Sequence, residues 1–378
     1  MQTEVLIIGG GLSGLMAAWQ LDQAGVEVLL VEGRNRFGGR VLTVGQASGA
    51  HCDLGPSWFW PGQPVIASLL HHFQIPYYNQ HAPGTTLLQQ ADGSIVPIMN
   101  TSPMAGSYRI EGGIGRLANA LAAAINPARR HLGYTVTGLA HNGQTIVTDC
   151  MGPAGAVQVQ AKQVALAIPP RLAADLSFSP ALPTPVSQTL AATPTWMSGH
   201  AKFFAVYERP FWRTKSLCGS AMSHLGPLAE IHDASPHSGT VGCLFGFAGL
   251  DAHKRAELGQ TEFIRLATQQ LAAIFGAEAA NPIEVYFQDW SREDFTAATA
   301  DRQPQTRHPD YGLTLNLNEP WQEKLAFIAT ETAYSNGGLV EGALASGLAY
   351  AQQISKAALP LGDEPAHLHK ASMDWDWF

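Results

Sequence analysis

Lys202 is the side chain whose setting most constrains its chemistry. It is one of seven lysines among 378 residues and stands inside His200-Ala201-Lys202-Phe203-Phe204-Ala205-Val206-Tyr207. On a strand, Lys202, Phe204 and Val206 share a face. An ammonium carried onto an apolar face needs a partner, and burial lowers its pKa. Such a lysine suits proton handling or activation of oxygen. The competing reading is an edge-strand lysine that snorkels to water.

A second constellation lies at the start of the chain. Val5-Leu6-Ile7-Ile8 reads as a strand buried on both faces, and Gly9-x-Gly11-x-x-Gly14 follows it. A helix-forming run then extends from Leu15 to Ala24, and a second apolar strand, Val26 to Val31, ends in Glu32. Gly9 permits a tight turn, Gly11 lets backbone approach a pyrophosphate, and Gly14 lets the helix pack on the sheet. Leu12 and Ser13 open the helix, whose N-terminus offers N–H groups and a positive dipole end to phosphates. Glu32 would accept hydrogen bonds from ribose hydroxyls and repel a 2′-phosphate. The unit predicts a dinucleotide site, and by itself leaves NAD and FAD open.

The next segment, Gly33-Arg34-Asn35-Arg36-Phe37-Gly38-Gly39-Arg40, resembles the RxGGR stretch of flavoproteins of the monoamine oxidase superfamily. The resemblance implies FAD, with Gly33 and Arg34 beside the nucleotide, Gly39 giving close passage and Arg40 along the pyrophosphate. The competing reading of Arg36 and Arg40 is a solvated basic turn. Asp53-Leu54-Gly55-Pro56-Ser57-Trp58-Phe59-Trp60 looks like the family's DLG segment, which implies that Gly55, Pro56, Ser57 and Trp58 lie near the flavin. Glu111-Gly112-Gly113 through Leu117 resembles the Gly-Gly-x-x-x-Leu element, and Ala167-Ile168-Pro169-Pro170 the crossing into the substrate domain. By the same analogy Val136 contacts the adenine. Thr330-Glu331-Thr332 and Asn336-Gly337-Gly338 match the second signature: Glu331 near the ribityl–phosphate region, and Gly338, Leu339 and Val340 at a helix N-terminus aimed at the flavin. Lys202, upstream of Glu208-Arg209-Pro210-Phe211-Trp212, matches the family lysine that holds a water against flavin N5, and Trp290 the tryptophan bordering the ring system.

The departures matter equally. Thr299 stands where monoamine oxidases carry the cysteine that attaches FAD, so non-covalent FAD is expected. Ala300 and Leu339 replace the two tyrosines of the aromatic cage. Trp60 and Tyr334, with Trp58 and Phe59, are the aromatics that could line a substrate pocket with Thr299 and Ala300.

These motifs need a Rossmann-type α/β FAD-binding domain interleaved with an α+β substrate domain carrying a mixed or antiparallel sheet. The expected division assigns 1–75, 105–170 and 321–358 to the first, 76–104 and 171–320 to the second, and 359–378 to an aromatic tail. Val157 to Ala161 alternates as an edge strand would, and Val164 to Ile168 reads as a separate buried strand.

Composition sets the outer limits. Charged residues make up 14% and apolar residues 46%, with a net charge of −8, which fits a globular chain. No lysine- or arginine-rich run invites nucleic acid or anionic membrane. No stretch reaches the ~20 apolar residues of a membrane span, and Met1-Gln2-Thr3-Glu4 lacks a basic signal region, so a cytoplasmic protein is expected. Four scattered cysteines form no CxxC pair, and the histidines form no metal motif; no metal is expected. The leading expectation is oxidation of an amine, with O2 as acceptor and release of hydrogen peroxide. A flavin dehydrogenase or desaturase on a non-amine substrate, and a non-catalytic flavin-binding accessory protein, are the rivals. Substrate identity and oligomeric state are left open.

Overall fold

The structure is a computed structural model that describes residues 1–303, 305 and 307–355. The apolar run at the N-terminus lies inside the strand Gln2–Ile8, which pairs in parallel with Val28–Glu32 on one side and Gly155–Leu166 on the other. Residues Val5 to Ile8 are buried because both faces of this central strand are covered. Arg130–Leu132 extends the parallel set beyond Val28–Glu32. Thr135–His141, Ile146–Gly152 and Gly155–Leu166 form an antiparallel meander on the other side, and Leu325–Phe327 adds in parallel to the end of the last of these. The result is an eight-stranded mixed sheet.

The helix Leu12–Gln23 follows the first strand and packs against the helix Val340–Ile354. Gly347 makes that contact possible, since a Cβ there would overlap the Ser13 carbonyl. Glu341, in the first turn of the second helix, accepts the Val65 and Ile66 N–H groups at 2.9 Å each. Its carboxylate thereby caps the helix Pro64–His72.

The second sheet has seven strands in the order Glu284–Asp289, Ala201–Tyr207, Gly242–Ala248, Leu228–Asp233, Leu217–Ser223, Pro83–Gln89 and Ile95–Thr101. It is antiparallel except for the parallel pairing of Leu217–Ser223 with Pro83–Gln89. Phe203, Ala205 and Tyr207 pack with the helix Gln260–Phe275. Phe204 and Val206 point the other way, into a cluster with Ala50, Cys52, Leu54, Cys243 and Phe245. That second cluster joins the sheet to the loops beside the nucleotide motif.

Several local expectations change. Gly155–Leu166 is one strand paired on both sides, not an edge strand followed by a buried one. Its polar and apolar residues alternate where one face is exposed and turn wholly apolar where it enters the centre of the sheet. Ser177–Ser179, beyond the Pro169–Pro170 crossing, pairs with the first sheet. The aromatic tail lies outside the described residues. All four cysteines are buried and unpaired.

Candidate active site

The glycine motif is held by contacts that need its missing side chains. Gly9 has φ +107°, and a Cβ there would stand 2.6 Å from the Ala167 carbonyl oxygen. A Cβ at Gly14 would overlap the Gly9 carbonyl, whereas one at Gly11 would meet only the Gly39 Cα at 3.9 Å. Gly38 bridges in parallel to Gly11, so the RxGGR turn lies alongside the first turn. Glu32 is 4% exposed; its Oε2 accepts the Gly10 N–H at 2.6 Å and its Oε1 the Arg34 N–H at 2.9 Å. The N–H groups opening the helix at Leu12 have no intrahelical acceptor, and neither a side-chain cap nor a first-turn acid competes for them. Ser13 spends its hydroxyl on the Ile328 carbonyl, which ties this helix to the strand preceding Glu331.

Arg40 reaches across to Glu331 as a bidentate pair, with Nη1–Oε1 2.6 Å and Nη2–Oε2 3.2 Å. Glu331 is fully buried. Burial acts to lower the Arg40 pKa, and Glu331 more than offsets it, so the guanidinium is held charged. Arg36 folds back on its own turn, donating to the carbonyls of Gly39 and Val41 at 3.0 Å each. Neither arginine is a solvated surface charge. Arg34 keeps its Nη1 3.7 Å from Glu32 Oε1 and reaches Thr296 Oγ1 at 2.8 Å, Glu293 at 3.3 Å and the Phe295 ring, which also covers Gly33. The segment after Trp290 is thus clamped on the turn after Glu32. Val136 is half-buried at the start of its strand, just past Tyr134, whose N–H donates to the Glu32 carbonyl at 2.9 Å.

Lys202 is 3% exposed and lies between two paired neighbours, Phe247 and Gln288; it does not snorkel. Its Nζ donates to Ser57 Oγ at 2.6 Å, to the Asp53 carbonyl at 2.8 Å and to the Gly55 carbonyl at 2.9 Å. The Phe245 ring lies 4.0 Å away, with Phe247, Phe204 and Trp58 within 6 Å. Burial pushes the ammonium down to about 7, against the upward pull of Asp53 and with Arg109 adding to the lowering. Trp290 donates from Nε1 to the Leu54 carbonyl at 2.8 Å. Lys202 and Trp290 therefore grip the same loop, which carries Gly55, Pro56, Ser57 and Trp58.

Several side chains that complete this site carry no motif. Asp53 Oδ1 accepts Thr43 Oγ1 at 2.5 Å and the Ile114 N–H at 3.0 Å, while Arg109 stands 4.0 Å from Oδ2. Burial raises the Asp53 pKa, with Arg109 opposing. Gln63 accepts the Trp60 N–H at 3.0 Å and donates to Asn336 at 3.3 Å, linking the aromatic loop to the turn before Gly338. Trp58 packs edge-on to His232, centroids 5.0 Å apart, and donates to Gln80 at 2.9 Å. Among these, Asp53, Trp58 and Asn336 lie in motifs read from the sequence, whereas Thr43, Arg109, Gln63, Gln80 and His232 do not.

Leu339 caps the helix Val340–Ile354, and Gly338, at φ +78°, makes the turn into it. Thr299 and Ala300 are exposed on a short 3-10 turn, Tyr334 is 85% exposed and Trp60 is half-buried. The enclosed aromatic surface near Lys202 is instead Trp58, Phe245 and Phe247. Among the described residues no cluster of histidine, cysteine or carboxylate side chains could hold a metal. Among them, too, no helix is long and apolar enough to cross a membrane.

The donor set fits a dinucleotide carrying a flavin: a cradle open only at Gly11, uncapped helix N–H groups, a buried acid and a helix N-terminus at Leu339. The model of the family described as flavin containing amine oxidoreductase matches residues 12–92 and 87–355. A Mycobacterium tuberculosis protein named for flavin-containing monoamine oxidase, AofH, is 27% identical over 93% of this chain and 96% of its own length. Human flavin-containing amine oxidase B is 23% identical over 94% of this chain and 86% of its own. A solved structure of putrescine oxidase bound to putrescine superposes with TM-score 0.76 at 21% identity, covering 94% of this chain and 99% of that one. Cyclohexylamine oxidase from Brevibacterium oxydans gives TM-score 0.77 at 18% identity with the same coverage.

Proposed function

The chain belongs to the family of flavin-containing amine oxidoreductases and is an FAD enzyme, and from that premise we propose that it oxidises a carbon–nitrogen bond of a small amine and passes the electrons to O2. The observation that supports this most is the buried Lys202 beneath an aromatic wall, gripping the loop that follows Asp53. When bound, FAD supplies the two-electron acceptor for the C–H next to nitrogen and the route from there to O2, with hydrogen peroxide as product.

The chain's own residues do the rest. Glu32 and the open backbone at Gly11 hold the adenosine and pyrophosphate end, and the Arg40–Glu331 pair fixes the turn between them. Leu339 and Val340 present a helix N-terminus where negative charge develops. Lys202 places a positive charge beside the reacting face, which favours electron transfer to O2. Phe245, sealed between Phe204 and Lys202, excludes water, and the half-buried Trp58 and Phe247 offer ring surface to a cationic amine. With Thr299 in place of an attachment cysteine, FAD is held without a covalent bond. A cytoplasmic location completes the proposal.

Anaerobic mixing of the holoenzyme with a panel of amines tests this. Bleaching of the flavin by at least one amine, followed by peroxide release on admitting air, is the expected result. Bleaching by alcohols or saturated carbon substrates and by no amine would overturn it.

A further inference from the structure

We infer that residues 290–296 form a brace from the seven-stranded sheet to the adenosine turn, and that Glu293 and Phe295 in it are positioning residues that set how long FAD stays bound. The inference rests on the placement of the adenosine at Glu32 proposed above. It adds residues that act through Glu32 rather than on the cofactor.

Glu293 is divided between two sheets. Its Oε2 accepts Arg34 Nη2 at 3.3 Å and Nε at 3.4 Å, and Arg34 belongs to the turn after the strand Val28–Glu32 of the eight-stranded sheet. Its Oε1 accepts Gln288 Nε2 at 3.1 Å. Gln288 pairs directly with Lys202 in the seven-stranded sheet. The backbone between is tightly wound. The Glu293 N–H donates to the Trp290 carbonyl at 3.1 Å, and the Glu293 carbonyl accepts the Thr296 and Ala297 N–H groups at 2.8 and 2.9 Å. Trp290 is fastened in turn to the Leu54 carbonyl. The brace therefore has a fixed base from which to hold Arg34.

Phe295 closes the other side. Its ring centroid lies 5.4 Å from the Arg34 guanidinium carbon, and a Cβ on Gly33 would stand 2.7 Å from the ring. Gly33 does not share the positive φ of Gly38 and Gly39. Its missing side chain answers to the ring, not to the backbone. Phe295 is nevertheless 39% exposed, so the hydrophobic core gains little from it. The cation and the glycine it covers explain its position instead. Thr296, which accepts Arg34 Nη2 at 2.8 Å, is sealed beside it.

What the brace fixes is Glu32. Arg34 holds Nη1 3.7 Å from Glu32 Oε1, and its backbone N–H donates to the same oxygen at 2.9 Å. Pinning Arg34 through Glu293, Phe295 and Thr296 therefore orients the carboxylate that would accept the ribose hydroxyls. A site ordered beforehand binds with less loss of freedom. With no covalent link proposed at Thr299, retention of FAD falls to contacts of this kind.

The test follows FAD release from the loaded protein, read as the change in flavin fluorescence after dilution. Phe295→Leu keeps apolar bulk without a ring face, and Glu293→Gln removes the charge. Each should speed FAD release by about tenfold, in the range of one cation–π or charge-assisted contact. Phe295→Tyr keeps the ring and should stay within about twofold of the natural rate. Unchanged release in either Phe295→Leu or Glu293→Gln, with Glu32→Ala still weakening FAD binding, would overturn the inference and leave the adenosine placement standing. So would release from Phe295→Tyr as fast as from Phe295→Leu, which would make the ring mere bulk. An FAD affinity unchanged in Glu32→Ala would sink both.

Discussion

The Lys202 ammonium donates to Ser57 Oγ at 2.6 Å, and this bond joins the strand next to the edge of the seven-stranded sheet to the loop that follows Asp53. With the Asp53 and Gly55 carbonyls it uses all three ammonium hydrogens. Lys202→Met removes the charge and keeps much of the volume. Flavin reoxidation by O2 should slow by about 100-fold, within the range of positioned proton and charge catalysis, while FAD stays bound. Stopped-flow mixing of reduced enzyme with O2 measures it, and an unchanged rate removes the role.

The same group carries a pH signature. Its pKa is lowered to about 7 from the ordinary 10.5. Between these values the folded state has lost a proton that the unfolded state retains, so this group makes stability rise with pH across that window. Reoxidation should be fastest below pH 7 and decline above it. Ser57→Ala removes an acceptor of the ammonium and should move the inflection to lower pH; Lys202→Met should abolish it. A pH series of reoxidation rates on the three proteins decides the matter.

Glu32 should control cofactor affinity more than fold. Each carboxylate oxygen takes one backbone N–H in the structure and retains a lone pair for a ribose hydroxyl. Glu32→Ala should weaken FAD binding by about 10- to 100-fold, the span expected for a hydrogen bond to a charged group. Fluorescence titration of the stripped protein with FAD reads this directly.

Arg40 has a structural duty as well. Removing it by Arg40→Met leaves Glu331 buried without its cation. Stability should fall by about 2–3 kcal/mol, below the cost for a sealed pair because Arg40 is 28% exposed. Arg40→Lys should recover less than half, because lysine cannot form the bidentate pair. Denaturant unfolding of the three proteins gives the comparison.

Acid precipitation tests the cofactor linkage. On the proposal that Thr299 replaces an attachment cysteine, the yellow colour should leave with the supernatant. Colour retained in the pellet would show a covalent bond at another residue.

What the sequence determined by itself is local. Gly9, Gly11, Gly14 and Glu32 lie within one strand–helix–strand unit, and each answers a backbone requirement that neighbours in the chain already impose. Gly33 to Arg40, Glu331 and the turn at Gly338 were legible only through their resemblance to the family's motifs. The alternation in Ala201–Tyr207 marked Lys202 as a charge on an apolar face. What only the tertiary structure decided is who answers that charge. Asp53, Gly55 and Ser57 lie about 150 residues away, and no periodicity predicts a carbonyl as partner. Arg109, on the short strand Tyr108–Ile110, and Gln63, at the start of the helix Pro64–His72, were silent because an isolated polar residue reads as surface until distant segments cover it. The long strand Gly155–Leu166 was split for a related reason: its pattern changes where its neighbours change, and the neighbours are set by chain crossings that local sequence does not encode.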